Sequence, residues 1–195
     1  MAERRGRVSR ATTETTIEVA VDLDGGDASI STGVPFFDHM LEQVAKHGRL
    51  GLTIAARGDL DVDAHHTVED TGIALGEALT QALGDKRGIA RYGDALVPME
   101  ESLAQVALDI SGRPLLVYEA PLPAETIGQY ESGLTPEFLQ ALARAAGLTL
   151  HVRLLAGSNA HHATEAIFKA LARALAQAVR FEPGSDSVPS TKGLL

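Results

Sequence analysis

The chain has no cysteine among its 195 residues. Disulfides and thiolate metal sites are therefore excluded. Any bound metal must be held by nitrogen and oxygen donors, which favours manganese, iron or zinc over copper(I) or iron–sulfur clusters. Long apolar runs are missing too: none approaches the roughly 18 residues of a membrane span, and Arg4, Arg5 and Arg7 followed by threonines do not make a signal peptide. No membrane association is expected, and the cytoplasm is the expected compartment. Cations are scarce, with 17 Lys and Arg against 26 Asp and Glu and a net charge of −9, which argues against general nucleic-acid binding. The 45% hydrophobic content suffices for a respectable core, in one duplicated domain or two half-domains.

What the chain does have is histidine in a pattern. His65-His66-Thr67-Val68-Glu69 and His161-His162-Ala163-Thr164-Glu165 both read HHxxE, and each opens a helical stretch. On a helix the first His and the Glu are four apart and the second His and the Glu three apart, so either pair can converge on one ion. Adjacent histidines diverge by about 100° around the axis, so one ion rarely takes both. Two such motifs face to face therefore suggest two ions. A single copy would more often be a cap and a solvated turn.

The duplication extends past the motif. Residues 51–84 moved along by 96 positions fall on 147–180 with 14 of 34 identical, including Gly51-Leu52-Thr53 on Gly147-Leu148-Thr149 and Gln81-Ala82 on Gln177-Ala178. A unit of half the chain is too long for a solenoid repeat and suits two packed half-domains, with boundaries at 1–92 and 93–195. With a further shift of two, His39 in Asp38-His39-Met40 falls on Glu137. If His39 is a ligand, Glu137 is its partner by symmetry, since carboxylate can replace imidazole at such metals. The alternative is that Glu137 only follows Pro136 in the first turn of a helix, where acids suit the dipole.

Hydrophobic periodicity gives a coarse element order. Alternation predicts a strand over Thr16–Leu23, and Asp24-Gly25-Gly26 reads as a hairpin turn with Ala28–Thr32 as the return strand. A helix over Pro35–Lys46 stops at Gly48, strands follow at Leu50–Ala56 and Leu60–Asp63, and a helix runs over Thr67–Leu83. In the second half, strands are predicted at Leu103–Ile110, Leu115–Ala120 and Leu148–Leu155, and helices at Pro136–Ala146 and Ala163–Val179. Small antiparallel or mixed sheets covered on one face by helices fit best, an α+β class. The tail Phe181–Leu195 reads as irregular. Cations beside glycines (Lys86-Arg87-Gly88 with Arg91, Ser111-Gly112-Arg113, Ser190-Thr191-Lys192-Gly193) point to an anionic substrate, because backbone can approach phosphate there. Lys169, four residues after Glu165, lies on the motif face of its helix.

Six ordered segments carry a family resemblance: Phe36-Phe37-Asp38-His39-Met40-Leu41, His65 to Asp70, Gly84-Asp85-Lys86-Arg87-Gly88-Ile89, Asp109 to Pro114, His161 to Ala166, and Pro189 to Gly193. Together they resemble the signatures of the imidazoleglycerol-phosphate dehydratases of histidine biosynthesis, in the monofunctional form, over nearly the whole chain. The resemblance implies a tandem duplication of two half-domains, each a four-stranded sheet with two helices on one face. It also implies two Mn²⁺ per active site and an octahedral homo-oligomer of 24 copies with active sites at subunit contacts. Implied metal ligands are His39, His65, His66, Glu69, His161, His162 and Glu165. Implied substrate and phosphate contacts are Gln43, Arg91, Arg113, Lys169, Ser190 and Lys192. Glu14 matches an acidic substrate contact once one gap is allowed. The family usually has His where Glu137 stands, a ligand position, and Asp where Glu100 stands, a candidate catalytic acid.

The implied reaction explains the residue types. Dehydrating imidazoleglycerol phosphate removes hydrogen from a carbon with no neighbouring carbonyl, so the imidazole ring must be the electron sink. Metal on the ring would favour imidazolate, which can expel hydroxide through a diazafulvene-like intermediate, with Glu165 or Glu14 shuttling the proton. A metal-storage protein built on the same HHxxE pairs would not need the cations Arg91, Arg113 and Lys192. A dimetal hydrolase of a phosphorylated substrate is separated only by the family resemblance.

Overall fold

The computed structural model describes residues 3–195. The first half runs β1 (Arg5–Ala11), β2 (Thr15–Asp22), β3 (Ala28–Ser31), α1 (Pro35–Gly48), β4 (Gly51–Gly58) and α2 (His65–Leu83). The second half opens with β5 (Tyr92–Met99), β6 (Ser102–Asp109) and β7 (Leu115–Glu119). A short hairpin of β8 (Thr126–Ile127) and β9 (Tyr130–Glu131) intervenes before α3 (Leu134–Ala146), β10 (Thr149–Ala156) and α4 (Ala160–Val179). The two four-stranded sheets have matching orders, β1-β2-β4-β3 and β5-β6-β10-β7, and in each the last strand is parallel to its neighbour. This is an α+β tandem duplication, each half a sheet with two helices on one face. Among the described residues no helix is long and apolar enough to cross a membrane.

The layers follow from where the apolar residues fall. β2 alternates buried Ile17, Val19 and Val21 with exposed Thr16 and Glu18, so only one face of its sheet is dry. α2 covers β1 and β2, and α4 covers β5 and β6. α1 then packs on α4 and α3 on α2, so each half's helices meet the other half's between the two sheets. Scarce aromatics concentrate at that junction. Phe37 stacks on Tyr130 at 5.9 Å and meets Phe138 edge-on at 5.3 Å, and Phe138 stacks on Phe168 at 5.3 Å.

Three expectations need correction. Ala28–Ser31 does not return along β2; it pairs in parallel with β4, while β2 takes β1 as its hairpin partner. The segment Asp24-Gly25-Gly26 instead crosses the end of β4. Both glycines have positive φ, and a Cβ on Gly51 would lie 3.0 Å from the Gly25 carbonyl oxygen. Leu60–Asp63 is a turn, since β4 already has a strand on each side and Val62 is left exposed. The edge strands β1 and β5 were not anticipated. Arg5, Arg7 and Arg10 mask the alternation of β1, and Pro98, tolerated at an edge, masks that of β5.

The repeat register is also not uniform. Helices α2 and α4 correspond at an offset of 96, as the two HHxxE motifs do. Strand pairing sets Gly51 opposite Asp22 and Thr149 opposite Asp109, so β4 and β10 correspond at 98. The identical Gly-Leu-Thr triplets are therefore two residues out of structural register, and the chain from the end of β4 to His65 is longer than that from the end of β10 to His161 by the same two.

Strands β1 and β5 correspond at 87. The Arg7 N–H donates to the Gln81 side-chain oxygen, as the Asp94 N–H does to that of Gln177. A Cβ on Gly6 would lie 1.9 Å from the Ala78 carbonyl oxygen, and one on Gly93 1.9 Å from that of Ala174. Gly93→Ala must push β5 off α4, an overpacking that costs about 1–3 kcal/mol. Thermal unfolding of the variant should show a clearly lowered midpoint, and a wild-type midpoint would contradict this packing.

Candidate metal centre and substrate-binding groups

α1 and α4 lie side by side with their first turns together, and His39, His161 and Glu165 meet there. Nε2 of His39 is 3.4 Å and Nε2 of His161 is 3.2 Å from the same oxygen, Oε2 of Glu165. The three donors lie within 4.8 Å of one another, and among the described residues this is the sole such group of three. His161 and Glu165 converge because they are four apart on one helix face. His39 comes from the other half of the molecule. Phe36 packs edge-on against the His161 ring at 4.9 Å and restricts its orientation.

Glu165 is buried, and Lys169 one turn on donates to its Oε1 at 2.7 Å. Burial alone would raise its pKa. The Lys169 hydrogen bond and charge, helped by His39 and His161, overcome this and hold the carboxyl below its ordinary range. One oxygen is thus committed to Lys169 while the other faces two imidazoles. Two nitrogens and an ionised oxygen fit Mn²⁺, Fe²⁺ or Zn²⁺. Gln43, a turn after His39, has its Nε2 3.4 Å from His39 Nδ1 and 3.4 Å from its carbonyl oxygen.

On α2, His65 Nε2 is 3.8 Å from Glu69 Oε2. Glu137, the partner of His39 by symmetry, is exposed in the first turn of α3 and does not complete a trio with them. The second histidine of each motif turns away from the first, at interplanar angles of 89° and 78°. Each has its Nδ1 held by a carboxylate, Asp59 at 3.0 Å for His66 and Glu101 at 2.8 Å for His162. Such a bond orients the ring and leaves Nε2 for a metal. The Asp59 hydrogen bond raises the His66 pKa, with burial opposing and Glu14 assisting. Glu101 is held well below the carboxylate range by His162 and by the N–H groups of Asn159 and Ser158.

Sequence reading missed Asp59 and Glu101. Glu101 was findable, because the 87-residue offset of the hairpins places it on Glu14. Asp59 had no such signal, lying in the loop whose length differs between the halves. Glu100, the expected acid, sits exposed in the β5–β6 turn at a φ of 49° and makes no side-chain hydrogen bond or ion pair among the described residues. Glu14 in the β1–β2 turn has Oε1 3.9 Å from Nε2 of His66.

The expected phosphate contacts divide into two places. Lys169 belongs to the Glu165 group. Arg91 lies at the other end of α4, its N–H bonded to the carbonyl oxygen of Ala178. At 1.5 Å per residue, His161 and Ala178 are about 25 Å apart along that helix. Asp109 grips the Arg91 guanidinium through both oxygens, at 2.7 and 3.0 Å, and a third N–H reaches the Pro189 carbonyl at 2.8 Å. That contact lays the tail carrying Ser190 and Lys192 beside Arg91. Leu195 then packs against Gly112, next to exposed Arg113.

A family model described as imidazoleglycerol-phosphate dehydratase matches residues 32–175. The imidazoleglycerol-phosphate dehydratase of Moorella thermoacetica is 58% identical over 193 residues, covering 98% of this chain and 98% of that protein. The chain belongs to the imidazoleglycerol-phosphate dehydratase family. A crystal structure of the Staphylococcus aureus dehydratase superposes with a TM-score of 0.84 at 39% identity, covering 91% of this chain and 99% of that one. The Pyrococcus furiosus dehydratase, in complex with (S)-C348, gives 0.85 at 38% identity over 96% and 100%. The chain is therefore a dehydratase of histidine biosynthesis, and its His39–His161–Glu165 group can hold a metal ion.

The Lys169–Glu165 pair carries a pH signature in the metal-free dehydratase. A folded carboxyl pKa below the unfolded one adds stability above the usual carboxylate range, and this is lost as pH falls through the folded value. Lys169→Met leaves burial opposed only by His39 and His161 and raises the Glu165 pKa toward its unfolded value. The stability that ionised Glu165 adds at neutral pH is then reduced, so the variant's thermal midpoint should fall below wild type at neutral pH and converge with it at acid pH, where Glu165 is protonated in both. A constant gap between the two midpoints across pH would show that Lys169 does not set Glu165.

Proposed function

We propose that dehydration of imidazoleglycerol phosphate runs in sites assembled from neighbouring copies of the chain. The separation of Arg91, Arg113, Ser190 and Lys192 from the metal-ligating end of α4 carries this reading. A small phosphorylated imidazole cannot span the roughly 25 Å of α4 between the two groups. The family resemblance points the same way, to an octahedral oligomer of 24 copies. The cytoplasm is the compartment we expect for it.

We assign two Mn²⁺ ions to each site. His39, His161 and Glu165 would hold one, and His65 and Glu69 would hold the other once the exposed Glu137 side chain turns in from the first turn of α3 to join them. His66 and His162, turned away from their own glutamates, would complete ions on neighbouring copies. The metal supplies Lewis-acid stabilisation of the deprotonated substrate ring. Loss of the hydroxyl beside the ring and of the proton on the next carbon releases water and leaves an enol, which tautomerises to imidazoleacetol phosphate. Glu165 has one oxygen bound to Lys169 and the other facing imidazoles. Glu14 is half exposed and, among the described residues, pairs with His66 alone, so it is the better proton carrier. Gln43 flanks the ring. Arg113, Ser190 and Lys192 from another copy grip the phosphate, with Arg91 anchoring their tail, and so fix ring and side chain in one orientation.

Turnover of imidazoleglycerol phosphate should vanish with chelator and return with Mn²⁺. The shared site makes a sharper demand. His161→Ala should be inactive, and so should Arg113→Ala combined with Lys192→Ala. Mixing their unfolded chains and reassembling them should restore roughly a quarter of wild-type activity, because random mixing rebuilds intact sites across chains. Recovery of nothing would place the whole site within one chain. No turnover by the wild type would overturn the dehydratase reading itself.

A further inference from the structure

Asp70 is a buried carboxylate in the second turn of α2, and nothing in the helix requires it. Its counterpart in α4 is Ala166, in a helix that meets its sheet through the same glycine contact and the same glutamine bond. Burying a carboxylate is unfavourable unless it is paired and hydrogen-bonded. The partners of Asp70 all lead to one place. Arg10 Nε and Nη2 lie 3.0 and 2.9 Å from Oδ1, and the Thr15 hydroxyl lies 2.5 Å from Oδ2. Both residues flank the β1–β2 turn that carries Glu14.

The proton directions in this chain are fixed. An ionised carboxylate can only accept, so Thr15 donates to Asp70. Thr15 Oγ1 is then left to accept from the Thr12 hydroxyl at 3.2 Å. Thr12 Oγ1 in turn accepts the N–H groups of Glu14 at 3.1 Å and Thr15 at 2.9 Å. The Glu14 backbone is thereby tied, through two hydroxyls, to a carboxylate four residues after His66 on the same helix face.

The second half shows what happens without the tie. Ser102 and Glu101 stand where Thr15 and Glu14 do, at the offset of 87. With no buried carboxylate to receive it, the Ser102 hydroxyl donates to Glu101 at 3.1 Å, and Glu101 bends onto Nδ1 of His162. In the first half Asp59 takes Nδ1 of His66, and Glu14 stays free beside Nε2. We propose that Asp70 is a positioning residue which, through Thr15, Thr12 and Arg10, holds Glu14 at the substrate side of His66. The inference rests on Glu14 as the proton carrier.

The test uses Mn²⁺-loaded full-length protein. Thr15→Val keeps shape and removes the hydroxyl; Thr15→Ser restores it. A catalytic group displaced by an ångström loses up to about a hundredfold in rate. Thr15→Val should lower kcat about ten- to a hundredfold with KM and metal content near wild type and a lowered thermal midpoint, since Asp70 loses a buried donor, and Thr15→Ser should recover most of both. Combined with Glu14→Gln, Thr15→Val should cause no further loss, since both act through one carboxylate. Should Thr15→Val fail to fold, exposed Thr12→Val removes the acceptor for the Glu14 N–H and should show the same kcat loss and the same non-additivity. Wild-type kcat in either valine variant, with Glu14→Gln impaired, would overturn the positioning role and leave Glu14 as proton carrier. Full additivity would also overturn it. An active Glu14→Gln would remove the proton-carrier reading and this inference with it.

Discussion

The contact on which the rest depends is the aromatic stack between the two halves. Eight Phe and Tyr residues are all this chain has, and five of them, Phe36, Phe37, Tyr130, Phe138 and Phe168, pack where α1, α3 and α4 converge. Losing one buried Phe typically costs 3–5 kcal/mol, against total stabilities of about 5–15. The stack therefore governs both stability and chemistry. His39 follows Phe37 by two residues, and Phe36 lies against the ring of His161. The pairing of α1 with α4 is what turns two remote sequence motifs into one donor set.

Around that scaffold, carboxylates set the direction of each imidazole. Asp59 and Glu101 do the same work on His66 and His162 from different elements, a β4–α2 loop in one half and a β5–β6 turn in the other. Duplication preserved the need and not the residue. Glu165 differs in being buried, and Lys169 keeps it ionised where burial alone would favour the neutral acid. A neutral acid would be a poor metal ligand, so the cation beside the site supports cation binding through the carboxylate it holds open.

Much of the fold was legible in the sequence because helices carry their pattern locally. The two HHxxE motifs, the apolar faces of α1 to α4 and the strands β2, β4, β6, β7 and β10 all follow from periodicity. The edge strands β1 and β5 did not, since Arg5, Arg7 and Arg10 in β1 and Pro98 in β5 suit solvent-facing edges and break the alternation. The crossing at Gly25-Gly26 was misread because a glycine pair serves a hairpin and a strand-end crossing equally well. Of the site, the histidines and glutamates were visible as types and spacings. Which of them meet was not. The pairing of α1 with α4, and the distance between Lys169 and the Arg91–Lys192 group, depend on packing that no local window contains.

The central claim is that one metal ion is held by ligands from both halves of the duplicated chain. Anomalous scattering at the manganese edge, from crystals of Mn²⁺-loaded protein, tests it directly. The account predicts a strong peak within about 2.0–2.3 Å of Nε2 of His39, Nε2 of His161 and an oxygen of Glu165. A strongest peak bound by residues of one half alone, or remote from these three, would contradict it.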